Sequence, residues 1–432
     1  MKITRSFLSV KHPRGICGLL GLTLLFSFKL QAETISLNDA EQIAVKQDPA
    51  QQVYQSQQEA LMAQGVASAT LADPMIKLGA ANMPTDSFKF DEDPMTQLSV
   101  GLSQQFSRGD TRGLSQKGFN ERSQLAVFKG LDRQLIVKRS VRQLWLNILF
   151  VEKSLNIVKE NKQLFSSFYR DLEAQFSLGM VENEDLLAAE IELNKFDDKI
   201  AGLMQMSANQ RSLLSEWIGQ YAYDDLPDDI PQWQETRNLI DVSAEHANYY
   251  ALLSQHPKAK LLAQNIVVAD NGIDLAKQSY KPSFKVEVGY GYRFRDSDTG
   301  QSRANLLSGF ITMDIPLFTD KRQDQRLISA QQTKGQKQAE HRLLLRQLNA
   351  QLATEIVNYR QIKARQARYQ SSLLKQAKLH AELLEQSYQS NTRTFKEVIE
   401  AYIHQQNLIL EYQQLYFDGL KSLSKIRYFQ AL

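Results

Sequence analysis

The chain is written twice, and that constrains its fold more than any other feature. "AVKQDPAQQ" (Ala44 to Gln52) parallels "LLSQHPKAK" (Leu252 to Lys260), so Gln47 and Pro49 fall on Gln255 and Pro257 at an offset of 208. The same offset carries Pro74 onto Pro282. Further along the offset becomes 212: Phe106 falls on Phe318, Leu172 on Leu384, Phe176 on Tyr388, Leu186 on Val398 and Ala189 on Ala401. Constant offsets over so long a stretch require a duplication, hence two halves with one order of elements. A four-residue insertion between the two strands of each half accounts for the change of offset.

The order in each half is helix, strand pair, very long helix, break, helix. The first helices are expected over 36–71 and 258–279, the long helical segments over 111–178 and 321–390, and the last helices over 184–217 and 395–430. "GQYAYDDLPDDIPQW", with four Asp and two Pro, reads as a surface linker. The domains are therefore a leader at 1–32, a first repeat at 33–218, an acidic, proline-containing linker at 219–243 and a second repeat at 244–432. The second long segment has no Pro, and no Gly after Gly335. At 1.5 Å per residue it would reach about 100 Å. Leu345, Leu348, Leu352, Tyr359, Ile362, Tyr369 and Leu373 fall on three- and four-residue steps, a narrow coiled-coil seam. Such a helix packs lengthwise on others and stays wet along much of its surface.

The strands break this helical pattern. In "FKVEVGYGYRFR", Phe284, Val286, Val288, Tyr290, Tyr292 and Phe294 alternate strictly with Lys285, Glu287, Gly289, Gly291, Arg293 and Arg295. Period two means one apolar and one polar face. Ile76, Leu78 and Ala80, then Leu98, Val100, Leu102 and Phe106, then Leu307, Ile311, Met313, Ile315 and Leu317 do the same. The helices offer only narrow seams, so no broad apolar face is left for a sheet to pack on. Strands of this length and pattern suit a transmembrane β-barrel, with the six alternating residues of 284–294 facing lipid. Four strands cannot close, and each unpaired backbone group in hydrocarbon costs on the order of several kcal/mol. Several copies must close one barrel: two give eight strands, and three give twelve and a lumen.

Residues 1–32 carry Lys2, Arg5, Lys11, Arg14 and Lys29, no acidic residue, and the apolar run "CGLLGLTLLFSF". This pattern reads as a bacterial secretory leader cut before Glu33. The chain has 51 basic and 48 acidic residues, net +3. Without the leader's five basic residues the balance is 46 against 48, net −2. The basic surplus belongs to the leader and is no argument for nucleic acid. Cys17, the one cysteine, leaves with it and is not placed for lipidation. No later stretch is apolar for eighteen residues, so no transmembrane helix is expected.

No enzyme is visible. His246, His256, His341, His380 and His404 lack metal-ligand spacing, and neither a phosphate loop nor a nucleophile motif is present. The expected catalytic, cofactor and metal sites are none.

Two break motifs carry a family resemblance: "FSLGMVENEDLLAAEIEL" (Phe176 to Leu193) and "YQSNTRTFKEVIEAYIHQQN" (Tyr388 to Asn407). With the duplicated order behind a leader, they resemble the TolC family of outer-membrane efflux proteins over essentially all of 34–432. Gly179 and Asn391 stand at the family's tip turns, Asn391 where Gly is usual; Asn also tolerates the left-handed conformation. The resemblance implies a mainly α fold with a small β part, as a homotrimer forming a 12-stranded outer-membrane barrel continued by a periplasmic helical barrel, with 219–243 at its equator. It implies export through a tripartite pump with a periplasmic adaptor and an inner-membrane transporter. It also implies an acidic aperture ring, Glu397 and Glu400, and a tip lock of Asp185 with Tyr388 inside a subunit and with Arg393 between neighbours. "ADPMIKLGAANMPTDSFKFDEDPMTQLSVGLSQQF" (Ala72 to Phe106) is similar to the branch accompanying heavy-metal pumps of the resistance-nodulation-division type. Alternatives are a multidrug or type I secretion duct of the same family, or a soluble periplasmic coiled-coil adaptor.

Overall fold

A computed structural model describes residues 35–242, 248–390 and 392–432. The leader expected over 1–32, His246 and Asn391 lie outside the described residues, as does the junction of linker and second repeat.

The first half runs α1 (Leu37–Gln47), α2 (Pro49–Ala69), β1 (Met75–Ala81), β2 (Gln97–Phe106), α3 (Thr111–Ser177) and α4 (Asn183–Ile218). Short helices α5 (Gln234–Val242) and α6 (Tyr250–Leu253) follow. The second half runs α7 (Pro257–Gln278), β3 (Phe284–Tyr292), β4 (Leu306–Met313), α8 (Gln323–Arg368), a π-turn (Tyr369–Leu373), α9 (Leu374–Gln389) and α10 (Phe395–Phe429). The chain is mainly helical with one antiparallel sheet of order β1-β2-β3-β4.

The halves correspond down to their helix caps. Pro49 and Pro257 open α2 and α7, where a missing N–H breaks no helical bond. The preceding residues cap them: Asp48 accepts from the Ala50 amide at 3.1 Å, and His256 Nδ1 accepts from the Lys258 amide at 3.2 Å. The insertion is not where the offsets suggested. The strand-to-strand loops span 82–96 and 293–305, while nine residues, 314–322, join β4 to α8 against four, 107–110, joining β2 to α3. The second half therefore carries extra chain at the rim where sheet meets helices.

The main core lies where α3, α4, α8 and α10 run together. It holds Val141, Trp145 and Leu149 of α3, Leu214 and Ile218 of α4, and Phe417, Leu420 and Leu423 of α10. The α8 seam is Leu344, Leu348, Leu352, Ile356 and Tyr359, so Leu345 sits at its margin and not on it. Repeated four-residue steps drift around a straight helix, and Tyr359 corrects them by a step of three. The π-turn falls just beyond, at two residues assigned to the seam, Tyr369 and Leu373. Arg142, 2% exposed, meets Glu41 with both Nε–Oε1 and Nη2–Oε2 at 2.7 Å, and its Nη1 donates to the Leu432 carbonyl at 3.0 Å. A buried charge is tolerable only when paired this completely.

Candidate functional site

The sheet is turned inside out. Across one face run the rows Ile76–Leu102–Val288, Leu78–Val100–Tyr290–Leu307 and Phe106–Phe284–Met313. Every one of these side chains is exposed, Leu78 by 76%, and so is Ile311, opposite Val286 on the same face. The opposite face carries Lys77, Ser103, Lys285 and Glu287, and there Ser103 is buried and Glu287 only 22% exposed. Glu287 pairs with Lys285 at 3.0 Å and Lys77 at 3.6 Å. A sheet in water hides its apolar side; this one presents a contiguous apolar patch, while on the opposite face the middle strands β2 and β3 are partly covered and Lys77 and Phe310 of the outer strands are exposed. Among the described residues β1 pairs only with β2, and β4 only with β3, so both edges are open.

Phe284, Val286, Val288, Tyr290 and Tyr292 lie on the exposed face of β3. Phe294 does not, because the strand ends at Tyr292. Asn305 Oδ1 takes the Arg293 amide at 3.0 Å and turns the chain into the loop, where the Phe294 ring packs between Tyr292 and Phe90, centroids 5.2 and 5.4 Å away.

At the far end of the helices the two breaks lie together. Gly179 closes the first at φ +73°, with its amide on the Phe176 carbonyl at 2.9 Å; glycine reaches this left-handed region without strain. In the second, the Thr392 amide returns to the Ser387 carbonyl at 2.9 Å. An aromatic cluster binds the breaks to each other: Phe165 on Phe196 at 4.9 Å, Phe168 on Tyr402 at 5.4 Å and Tyr388 on Phe395 at 5.6 Å. Burial, and then a hydrogen bond to Glu385, push the Tyr402 phenol well above its ordinary range. A cleft of about 360 Å³ beside this cluster is lined by Phe168, Asp171, Gln175, Glu385 and Tyr388.

Within the single chain Tyr388 and Arg393 have local partners. The Tyr388 hydroxyl donates to Gln175 Oε1 at 2.9 Å and not to Asp185, because its ring, held on Phe395, points it at α3. Arg393 Nη1 donates to Glu397 Oε1 at 2.9 Å within its own chain. Asp185 lies half-buried in the first turn of α4, a favourable place for a negative charge. Glu397 is the third residue of a capping box: its Oε2 accepts from the Thr394 amide at 2.9 Å and hydroxyl at 3.0 Å. These bonds, the backbone one foremost and Arg393 last, hold its carboxyl below the usual range. Glu400, one turn on, is exposed. The two carboxylates are thus unequal, one occupied and one open to solvent. The signal for this was present in "TFKE", a Thr-x-x-Glu box at a helix start.

Among the described residues no group of three or more His, Cys, Asp and Glu could hold a metal ion, and no helix is long and apolar enough to cross a membrane. No family model and no curated protein matches the sequence. Solved structures do match. The chain is similar to CusC, known from crystal structures of conformational changes accompanying folding and transmembrane channel formation, at 14% identity over 92% of each chain with a TM-score of 0.75. It is similar to the outer membrane protein VceC from the bacterial pathogen Vibrio cholerae, at 14% identity over 91% of this chain and 96% of that one, TM-score 0.73. It is also similar to the Campylobacter jejuni CmeC outer membrane channel, at 14% identity over 91% and 85%, TM-score 0.71.

Proposed function

We propose that this chain, which has the fold of the TolC-family outer-membrane channels, is the outer-membrane exit duct of a tripartite efflux pump. One observation carries the reading: a four-stranded sheet that exposes its apolar face and leaves both edges unpaired. Lipid satisfies the face, and sister strands satisfy the edges. Three copies give twelve strands, a number that leaves a lumen lined by the polar face, Lys77, Lys285 and Glu287 among it. The long helices then continue as a tube through the periplasm to the tip at the two breaks.

The duct works passively. It binds no cofactor and runs no reaction; an inner-membrane transporter supplies the energy, and a periplasmic adaptor joins the two. Glu400 from three copies forms the inner acidic ring, with Glu397 beside it already engaged by Thr394 and Arg393. A ring of carboxylates favours cations without needing to bind them tightly. Export of heavy-metal cations by a resistance-nodulation-division pump is the cargo reading, supported by the resemblance of Ala72 to Phe106. Asp185 and Arg393 of neighbouring copies close the tip together with the Tyr388–Gln175 contact.

Fractionation tests the duct. The chain should stay with the outer membrane through high-salt washing and run as a heat-sensitive trimer. Release by salt would point instead to a soluble adaptor. Loss of the gene should raise sensitivity to heavy-metal salts more than to large antibiotics; the reverse order would assign a multidrug pump.

A further inference from the structure

The extra chain in the second half, residues 314–322, is built and held at both ends. Asp314 accepts from the Ser283 amide and hydroxyl and pairs with Arg108. At the other end the Arg322 and Asp324 amides return to the Thr319 carbonyl at 3.2 and 3.0 Å, and the Tyr280 hydroxyl holds Asp324. Between these anchors Ile315, Leu317 and Phe318 are all exposed, Phe318 by 86%. They follow Met313, the last residue of β4, where strands give way to helices.

Directly beyond lies an open groove of about 670 Å³ between α7 and α8. Lys321, Arg322 and Arg326 line it with Ser279, Gln325 and Ser329, and no carboxylate does. None of the three cations makes an ion pair or side-chain hydrogen bond among the described residues, and all three are exposed. The acids next to it in sequence do not line the groove: Asp324 accepts from Tyr280, and of Asp320 the backbone carbonyl accepts from Gln325. Three cations without a protein partner, a few residues after three exposed apolar side chains, suit a ligand that is anionic at one end and apolar at the other.

We infer that the 314–326 rim is a binding site for an anionic phospholipid, with acyl chains on Ile315, Leu317 and Phe318 and the phosphate in the groove held by Lys321, Arg322 and Arg326. Guanidinium forks suit phosphate oxygens, and the lysine adds a point charge. Cations at the edge of an apolar band hold anionic headgroups at the membrane surface. The first half lacks the site because its four-residue connection, 107–110, carries no such segment. The inference rests on the outer-membrane reading above.

The test uses the full chain purified in neutral detergent, after outer-membrane fractionation and heat-sensitive migration have established the trimer. Thermal stability is followed while adding phosphatidylglycerol, phosphatidylcholine with the same acyl chains, or inorganic phosphate. Phosphatidylglycerol should stabilise the wild type most and phosphate alone should not. The triple variant Lys321→Gln, Arg322→Gln, Arg326→Gln should still form trimers but bind phosphatidylglycerol about tenfold more weakly or worse. An undiminished phosphatidylglycerol effect in that variant, or the same effect from inorganic phosphate, overturns the lipid site while leaving the duct intact. Absence of any membrane-borne trimer overturns both.

Discussion

The hydroxyl of Tyr388 lies 2.9 Å from Oε1 of Gln175, and this one contact joins the end of α9 to the end of α3. The halves of the duplication meet there, 213 positions apart. A neutral hydrogen bond of this kind is worth about 1 kcal/mol. In the proposed trimeric duct three such contacts would bias one two-state aperture together. Tyr388→Phe combined with Arg393→Ser should raise single-channel conductance severalfold in planar bilayers at normal trimer yield. Gln175→Leu should do the same in part. Wild-type conductance from both would place closure elsewhere.

Glu397 and Glu400 should separate cleanly. Glu400→Gln should abolish cation preference and weaken block by trivalent cations, measured as reversal potential and block in bilayers. Glu397→Ala should change selectivity less but loosen the start of α10, because a lost capping partner costs about 1 kcal/mol. Equal effects on selectivity would mean that the Arg393 pairing does not persist in the assembled ring.

Val288→Arg places a charge in the middle of the exposed face, opposite Leu102. If that face meets lipid, the cost is about 2–4 kcal/mol at the bilayer midplane, and trimer yield in the outer membrane should fall. Glu287→Gln, on the polar face of the same strand, should assemble normally. Full yield from Val288→Arg would remove β3 from the lipid surface.

Glu41→Ala strips Arg142 of its carboxylate inside the core. An unpaired buried guanidinium should cost about 3–5 kcal/mol, seen as a lowered melting temperature at unchanged lipid composition. Glu41→Gln keeps the shape and should cost less.

His256 makes stability depend on pH. Its Nδ1 accepts the Lys258 amide and its Nε2 meets the Tyr428 carbonyl, an arrangement that suits the neutral ring. Burial is the main cause of its lowered pKa; Lys258 lowers it further, whereas Asp132 and the Tyr428 carbonyl act the other way. The unfolded chain takes up a proton as pH falls through about 6.5, and the folded chain does so only lower down. His256 therefore contributes full stability above 6.5 and loses it as pH falls below. The melting temperature should drop from pH 7.5 to 5.5, and His256→Asn, which retains a capping oxygen, should flatten that drop.

The elements were legible because each follows a local period. Pro49 and Pro257 mark helix starts, and the alternation at Phe284 to Tyr292 marks a strand whichever way it faces. Phe294 continues the alternation in sequence, but Asn305, thirteen residues from Tyr292, ends the strand, and periodicity carries no trace of that. Matched residues such as Phe106 and Phe318 fix an offset without saying on which side of a strand it changes, so the offsets alone do not locate the extra residues at 314–322. The tip partners were hidden for a different reason. Tyr388 chooses Gln175 through the packing of its ring, which no spacing encodes. The Thr394–Glu397 box, by contrast, was open to reading and accounts for why one of two similar carboxylates is occupied.

The exposed rows of the sheet also bear on how the protein comes to exist. A lone chain with Ile76, Leu78, Ile311 and Leu307 facing water and two bare strand edges has no reason to hold that sheet in order. Its helical core, by contrast, closes within one chain around Trp145 and Phe417. In the proposed duct, synthesis would then yield finished helices with an unfinished sheet, to be completed only when lipid and sister chains arrive together. If the proposed duct holds, folding, insertion and association of that part of the molecule are one event, and its stability has no meaning apart from protein concentration and the presence of a bilayer.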